Sequence, residues 1–463
     1  MHDLNPLESS EIKNVHMIGI GGSSMSGLAE ILKNLGYNVT GSDDRQSKAT
    51  DRLQEAGIKV SIGLKPENIQ NPDLVVYTVA VKDDNPELMR ARELGVPVLD
   101  RAALLGNIMK RYRYGIAISG THGKTTTTSM ISLIMLESQC NPTIHIGGEL
   151  DAIGGNTRVG GTRYFITEAC EYYESFLKFN PYMAVILNIE LDHIDYFKDL
   201  DHFKSAFHKF ASLVPQEGYM VACIDDPNVG QLLEKISCKK ITYGIKSDRA
   251  VWSARDIVFD SLGCASYTLL HEGCELEEIS LNVPGVHNVN NSLAAIAASH
   301  TLGCGMESIK NALGKFGGAH KRFELKGIRN NIKVIDDYAH HPSEVKATLK
   351  AAKNAEHKKL WCVFQPHTYS RTKAFLNDFA GAFQDADTII VSDIYAAREQ
   401  NKGEIHASIL AEKIGLNGKE AIYMHSFDTI VDYLKAETAP GDLIITMGAG
   451  DISKVGERFL ENK

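Results

Sequence analysis

The stretch AISGTHGKTTTT, residues 117–128, constrains this chain more than any other. It joins a short apolar run, YGIAIS, to a run with helical spacing through two glycines, a lysine and a threonine. A glycine-bearing loop between a strand and a helix brings backbone N–H groups against an anion at the helix N-terminus. The usual phosphate loop of this kind reads G-x-x-x-x-G-K-[ST]. Here the residue six before Lys124 is Ile118, so the loop is a compact Gly120-Thr121-His122-Gly123-Lys124-Thr125, with Thr126 following. The Lys124 ammonium suits β- and γ-phosphate oxygens, and the Thr125 hydroxyl suits Mg²⁺. N-capping would account for a run of threonines alone, but not for Gly-Lys-Thr at the same place.

The rest of the chain alternates strand-like and helix-like periods. NVHMIGI, YNVTGSD, DLVVYTVA and VPVLD in the first hundred residues are short apolar runs, and SGLAEILKNLG between the first two has helical spacing. Such alternation predicts a parallel, doubly wound sheet. A second unit begins near Arg113, with a helix expected from about Thr125 to Ser138 and further strands at RYFITEA, MAVILNI and GYMVACID. Residues 240–283 read as short β segments, KITYGI, ASYTLL and EISLNV, before the helix HNVNNSLAAIAASHTLG. A third unit starts near Lys321 and carries IKVIDDYA, LWCVFQP, DTIIVSDIY and DLIITMGAG. Length agrees with three units, since 463 residues at roughly 150 per domain give about three.

Net charge is −9 with no long basic tract, which argues against a nucleic-acid grip. The N-terminal MHDLNPLESSEIKN has no basic segment followed by an apolar one, so no signal peptide is read. No apolar run reaches the roughly 18 residues of a membrane helix. The 8 cysteines are scattered without metal spacing, as expected of reduced thiols in a cytoplasmic protein.

Polar residues gather where strands end, and in open α/β sheets ligands bind beyond those ends. GIGGSSMSGLAE follows the first strand; Gly19 and Gly21 begin a G-x-G-x-x-G pattern whose sixth position is Ser24, and Asp43 lies 24 residues beyond Gly19. This suits a pyrophosphate, whether of a dinucleotide or of a UDP ligand, and a ligand-free βα turn is the alternative. FITEACEYYESF offers Glu168, Glu171 and Glu174, and VILNIELDHIDYF offers Asn188, Glu190, Asp192, His193 and Asp195. Glu168 suits a Mg²⁺ ligand; Glu174 and Asp195 read as solvated charges. In the third unit, DDYAHHPSEV places Asp336, Asp337, Tyr338, His340 and His341 after a strand, and FQPHTYSRTKAF places His367 and Arg371 after another. Zinc is not expected at the His-His pair, because no third ligand has catalytic spacing. Helix capping explains Ser343 and Glu344 well and Arg371 poorly, whereas arginine suits a carboxylate or phosphate.

GTHGKTTTT, NIELDHIDY, GVHNVNNSLAA, KRFELKG, DDYAHHPSEV and FQPHTYSRTK together resemble the Mur ligases of bacterial peptidoglycan synthesis, over about Val15 to Gly450. GIGGSSMSG, HNVNN and FQPHTYSRT point to the alanine-adding branch. The resemblance implies an α/β chain of three domains: a Rossmann-like UDP-substrate domain (1–112), a central P-loop ATPase-like domain (113–320) and a Rossmann-like C-terminal domain (321–463). It implies ATP-dependent amide formation through an acyl phosphate, with Mg²⁺, on UDP-N-acetylmuramate and L-alanine, by a monomer or weak homodimer.

Carried over by residue, Gly120 to Thr126 would hold the ATP phosphates, with Lys124 on the transferring group. Thr125 and Glu168 would serve one Mg²⁺ and His193 a second. His287, Asn288 and Asn291 would lie near adenine, and Arg322, Asp337 and Tyr338 would also meet the nucleotide. His341, His367 and Arg371 would lie near L-alanine and the acyl phosphate. Gly19, Gly21, Gly22, Ser42 and Asp43 would face the UDP group, and Gly148, Asn156 and Arg158 the muramyl end. The chain departs from the family's usual E-A-D-E at Glu168-Ala169-Cys170-Glu171. Cysteine cannot replace that aspartate as a carboxylate, so the aspartate is expected only to support the site. Three rivals remain: a recycling ligase of the same family that attaches a whole murein peptide, an NAD-dependent oxidoreductase resting on the first glycine loop alone, and a non-catalytic nucleotide-binding regulator.

Overall fold

The computed structural model describes residues 7, 12–78 and 80–461. The N-terminal stretch read above for a signal peptide therefore lies mostly outside the described residues. The described chain falls into two compact units. The first runs to Ile189 and adds Lys204–Ile241 and Ala294–Gly305; the second holds Glu190–Phe203, Thr242–Leu293 and everything from Met306.

The first unit contains two sheets. Strands β1 (Asn14–Ile18), β2 (Asn38–Asp43), β3 (Lys59–Ile62), β4 (Leu74–Tyr77) and β5 (Val98–Asp100) form an all-parallel sheet in the order β3-β2-β1-β4-β5. This is the doubly wound arrangement expected from the alternation of periods. Strands β6 (Tyr114–Ser119), β7 (Thr143–Leu150), β8 (Gly155–Arg158), β9 (Tyr164–Glu168), β10 (Met183–Ile186) and β11 (Tyr219–Cys223) follow the order β11-β10-β6-β9-β7-β8. β6 lies between β10 and β9, buried from Gly115 to Ser119, so its carboxyl end opens at the middle of the sheet. The helix Lys124–Glu137 leaves from there and is buried on most sides. Two of its buried polar residues bond back along the helix: the Thr128 hydroxyl donates to the Lys124 carbonyl (2.8 Å) and Ser132 to that of Thr128 (2.7 Å).

β7 and β8 were not anticipated. TIHIGGEL carries two glycines and a break in register between His145 and Leu150, which disrupt the alternation that marks a strand.

The chain passes into the second unit within β12 (Lys239–Gly244). There β13 (Trp252–Phe259), β14 (Cys264–His271) and β15 (Cys274–Pro284) form an antiparallel meander. β13 was also missed, because an irregularity between Arg255 and Val258, with Asp256 at φ 52°, breaks its period of two. The C-terminal sheet has strands β16 (Glu324–Arg329), β17 (Ile332–Asp337), β18 (Leu360–Phe364), β19 (Thr388–Val391), β20 (Glu420–Tyr423) and β21 (Leu443–Met447), in the order β16-β17-β21-β18-β19-β20. The four strands expected from sequence are its centre; the unanticipated β16 and β20 are its half-exposed edges. Buried Leu360, Cys362, Phe364, Ile389, Val391 and Ile445 pack one face of this sheet, and Trp361, Val363, Ile390 and Ile444 the other.

Among the described residues no helix is long and apolar enough to cross a membrane. All eight cysteines are free thiols.

Candidate active site

In the first unit the loop after β6 is shaped by conformation before chemistry. Gly120 (φ 142°) and Gly123 (φ 85°) take backbone angles that side chains resist, and a Cβ at Gly120 would stand 3.0 Å from Leu187 Cβ. Asn188 clamps the loop from the next strand end. Its Oδ1 accepts from the His122 N–H (2.8 Å), its Nδ2 donates to the His122 carbonyl (3.1 Å), and its own carbonyl accepts from Thr121 (3.2 Å). Asn188 was visible in the sequence only as one polar residue among several at a strand end.

Lys124 is turned inward. Its ammonium donates to the Gly120 carbonyl, to that of Thr121 (3.0 Å) and to both carboxylate oxygens of Glu171 (3.0 and 3.1 Å). The Lys124 side chain is 16% exposed and that of Glu171 1%. Burial works to lower the Lys124 pKa, but the Glu171 charge overrides it and leaves it raised. Burial and then the same charge push the neighbouring Cys170 thiol up to about 11, so it stays neutral.

Thr125 and Thr126 are buried at the helix start. Gly148 packs on Thr125, where an added Cβ would come within 3.0 Å of its methyl. Glu168, at the end of β9, accepts from the Gly147 N–H (2.7 Å). A hydroxyl and a carboxylate are hard oxygen donors, so the chemistry of Thr125 and Glu168 fits Mg²⁺.

At the first glycine loop, the N–H groups of Gly19 (2.8 Å) and Ile20 (3.0 Å) bond the Ser42 carbonyl, and that of Gly21 bonds Asp43 Oδ2 (2.9 Å). Gly22 is the N-cap of the helix Ser23–Asn34. Burial, then neighbouring Asp44, raises the Asp43 pKa. The Ser42 side chain does not face outward as expected: it is fully buried and donates to Glu87, itself buried beside His16. Arg158 likewise bonds the Pro142 carbonyl and Asn141 Oδ1, both at 2.8 Å, and so braces a turn.

Asn156 belongs to a polar chain that the sequence did not reveal. Arg101 donates to Ser24 Oγ (3.1 Å), Ser24 meets His145 Nε2 (2.8 Å), and His145 Nδ1 meets Thr157 Oγ1 (2.9 Å). Thr157 donates to Asn156 Oδ1 (3.2 Å), and Asn156 Nδ2 to the Ser23 carbonyl (2.8 Å). With its proton spent on Asn156, Thr157 accepts from His145, which places the imidazole proton on Nδ1. Burial and then Arg101 lower the His145 pKa to about 3, consistent with a neutral ring. This network ties the start of the glycine-loop helix to β7 and β8.

In the second unit a buried ion pair dominates. Arg371 donates through Nε (3.1 Å) and Nη2 (2.8 Å) to Asp192 Oδ1, and through Nη1 to His367 Nδ1 (3.0 Å). Asp192 and Arg371 are 4% and 7% exposed. Burial alone would raise the Asp192 carboxyl; Arg371, with His193, His340 and His341, holds it far below the usual range. Accepting from Arg371 requires a free lone pair on His367 Nδ1, so this ring is neutral, and burial lowers its pKa to about 4. The His367 ring stacks on Tyr395 with centroids 5.8 Å apart. His193 has φ 50° and its N–H bonds Asp192 Oδ1 (2.7 Å).

His341 is the N-cap of the helix Pro342–Asn354, in a capping box with Glu344, and its Nδ1 meets Ser343 Oγ (2.7 Å). Ser343 in turn donates to Glu190 (2.7 Å). Capping thus extends to His341 itself, whereas Arg371 enters it only through its backbone N–H, bonded to the N-cap Thr368 hydroxyl, and its guanidinium stays with Asp192 and His367. Asp337 accepts from the N–H groups of Phe323 and Ala339, both at 2.8 Å, yet burial outweighs these and Arg322 and pushes it up to about 6. The Arg322 guanidinium lies over the Tyr338 ring, 5.1 Å from its centroid. Burial, then Arg322, lowers His287 to about 4. Asn291 Nδ2 donates to Asn288 Oδ1 (3.0 Å), and Asn288 Nδ2 to the Pro284 carbonyl (2.8 Å).

Comparison with known proteins bears on this chemistry. Residues 14–113 match the catalytic domain of the Mur ligase family, 118–299 the Mur ligase middle domain, and 321–450 the Mur ligase glutamate ligase domain. The chain is 61% identical to the UDP-N-acetylmuramate–L-alanine ligase of Acetivibrio thermocellus, over 100% of this chain and 99% of that protein. It is similar in structure to the UDP-N-acetylmuramate-alanine ligase of Thermotoga maritima, with TM-score 0.80 and 31% identity over 96% of this chain and 98% of the other. A murein peptide ligase of Psychrobacter arcticus gives TM-score 0.70 and 25% identity over 97% and 98%.

Proposed function

The chain belongs to the Mur ligase family, and from that premise we propose that it joins L-alanine to the carboxylate of UDP-N-acetylmuramate, forming a C–N bond at the expense of ATP. The observation that carries this reading is likeness from end to end, 61% over the whole chain, to a relative of that named activity. Retention of Lys124, Thr125, Glu168 and His193 together speaks for a working ligase rather than a regulator, and a phosphate loop with lysine has no place in an NAD-dependent oxidoreductase.

The substrate carboxylate takes the γ-phosphoryl group of ATP, leaving ADP. The amine of alanine adds to the acyl phosphate, and phosphate departs with loss of a proton. This chemistry needs position and charge neutralisation more than a covalent enzyme group. Lys124 and the N–H groups of Gly120 to Thr126 hold the phosphates. Thr125 and Glu168 would hold one Mg²⁺ and His193 a second; bound there, Mg²⁺ would neutralise charge on the phosphates. His287, Asn288, Asn291, Arg322, Asp337 and Tyr338 form the nucleoside side. Gly19, Gly21, Gly22 and Asp43 receive the UDP group, Ser42 contributing by its carbonyl, while Gly148 and Asn156 face the muramyl end and Arg158 braces it. His341, His367 and Arg371 serve alanine, Arg371 in a position set by Asp192. The domains divide at 1–112, 113–320 and 321–463, and the setting is the cytoplasm, where the eight thiols stay reduced.

A second reading, attachment of a whole peptide, draws on the likeness to the murein peptide ligase. Phosphate release with Mg²⁺-ATP and UDP-N-acetylmuramate separates the two, with L-alanine in one arm and the L-Ala-γ-D-Glu-diaminopimelate tripeptide in the other. Turnover with alanine is expected; turnover with the tripeptide alone would transfer the chain to the second reading.

A further inference from the structure

Lys124 is the cation expected to meet the phosphates, yet its three N–H bonds are already spent. Two go to the Gly120 and Thr121 carbonyls and the third to the bidentate Glu171 carboxylate. An ammonium has three donors and no more, so a phosphate oxygen can reach Lys124 only if one of these partners lets go. The two carbonyls belong to the loop itself and move with it. Glu171 is different: it follows β9, stands 47 residues away in sequence, and carries the charge that a phosphate would replace.

We propose that Glu171 is a positioning residue that holds Lys124 aimed and charged in the nucleotide-free loop and exchanges it for the γ-phosphate when ATP binds. The inference rests on the reading of this loop as an ATP site and goes beyond it in assigning Glu171. Every bound nucleotide must displace the carboxylate from the ammonium, so part of the Lys124–phosphate attraction goes into breaking the internal pair. In return the buried ammonium is never without a counter-ion, which would otherwise be strongly destabilising. Cys170 sets the strength of this competition. Glu171 is the acid bonded to the Lys124 ammonium, and residue 170 precedes it directly in the chain. An aspartate at 170 would place another negative charge beside the ammonium and make it harder to draw away.

The test is binding of the β,γ-imido analogue of ATP with Mg²⁺, measured by calorimetry, together with thermal unfolding with and without that analogue. Glu171→Gln should bind the analogue about tenfold more tightly than the parent chain. Its ligand-free form should melt lower, and the analogue should raise its melting temperature by more than it raises the parent's. A merely structural glutamate would give the lower melting temperature with weaker or unchanged binding, and that result overturns the proposal. Cys170→Asp, which restores the residue usual in the family and keeps the pair, should weaken binding several-fold; unchanged or tighter binding there overturns it as well. Failure of the parent chain to bind the analogue would instead remove the ATP-site reading, and this inference with it.

Discussion

Two ion pairs show what a single residue can and cannot announce. Lys124 declares its chemistry by its neighbours in sequence, because Gly-Lys-Thr after an apolar strand is a local pattern. Lys124→Ala is expected to lower kcat for phosphate release about 100- to 1000-fold, as loss of a charge stabiliser does; a change under tenfold would remove it from the transferring group. Arg371 announces only that a cation follows a strand. Its counter-ion, Asp192, is 179 residues away, and no spacing rule connects them. Removing one partner of such a buried pair strands the other charge, so Asp192→Asn should cost about 3–5 kcal/mol in urea unfolding. A cost below about 1 kcal/mol would mean that solvent, not Asp192, satisfies Arg371. Ser42 and Arg158 stand in the chain where ligand contacts are expected, yet both side chains are turned to internal partners. Rotamer direction is decided by the surroundings, and the sequence does not print those.

At the scale of elements, the best-read ones were buried and regular. The helix expected from about Thr125 to Ser138 runs Lys124–Glu137, and most of the apolar runs became inner strands, VPVLD forming the edge strand β5. Those missed, β3, β7, β8, β13, β16 and β20, are edges or are broken by bulges, where exposure or an extra residue erases the period. One short element carries strain toward the site. Thr368 precedes the helix Tyr369–Ala374 at φ 63°, ψ 146°, a region that side chains avoid, and its N–H bonds the Tyr395 carbonyl (2.9 Å). It lies between His367 and the turn bearing Arg371, so the strained angle aims both. Thr368→Gly should keep or raise the melting temperature while lowering kcat/KM for alanine by about tenfold. Loss of stability with unchanged kcat/KM would assign the residue to folding alone. At Gly27 a Cβ would fall 1.9 Å from Thr157 Oγ1. Gly27→Ala should therefore cost about 1–3 kcal/mol by overpacking the glycine-loop helix against β8, measured by the same unfolding experiment.

Over the whole molecule, buried neutral histidines set the response to pH. His145 lies at about 3, and His287 and His367 at about 4, against 6.5 for a free imidazole. Below pH 6.5 the unfolded chain takes up protons that the folded chain refuses. Their contribution is therefore whole above about pH 6.5 and is lost as pH falls toward 4, with a slope of at most about 1.4 kcal/mol per pH unit for each ring. Asp337, raised to about 6, has the opposite sign, because the folded carboxyl holds its proton where the unfolded one does not. Burial also lowers His340 and raises Asp43 and Asp336, so these add to the two sides. The share of His145 is read from His145→Asn, which should lose stability less steeply than the parent between pH 6.5 and 4.5; an equal slope in the variant would show His145 charged in the fold. The sequence by itself determined the alternation of strands and helices, the phosphate loop and the family, because periodicity, turn chemistry and motif spacing are local properties of a chain. Only the tertiary structure decided that Lys124 is held by Glu171, that Arg371 is held by Asp192, and that the histidines are neutral. Counter-ions and desolvation belong to groups distant in sequence that folding brings within about 3 Å and shields from water.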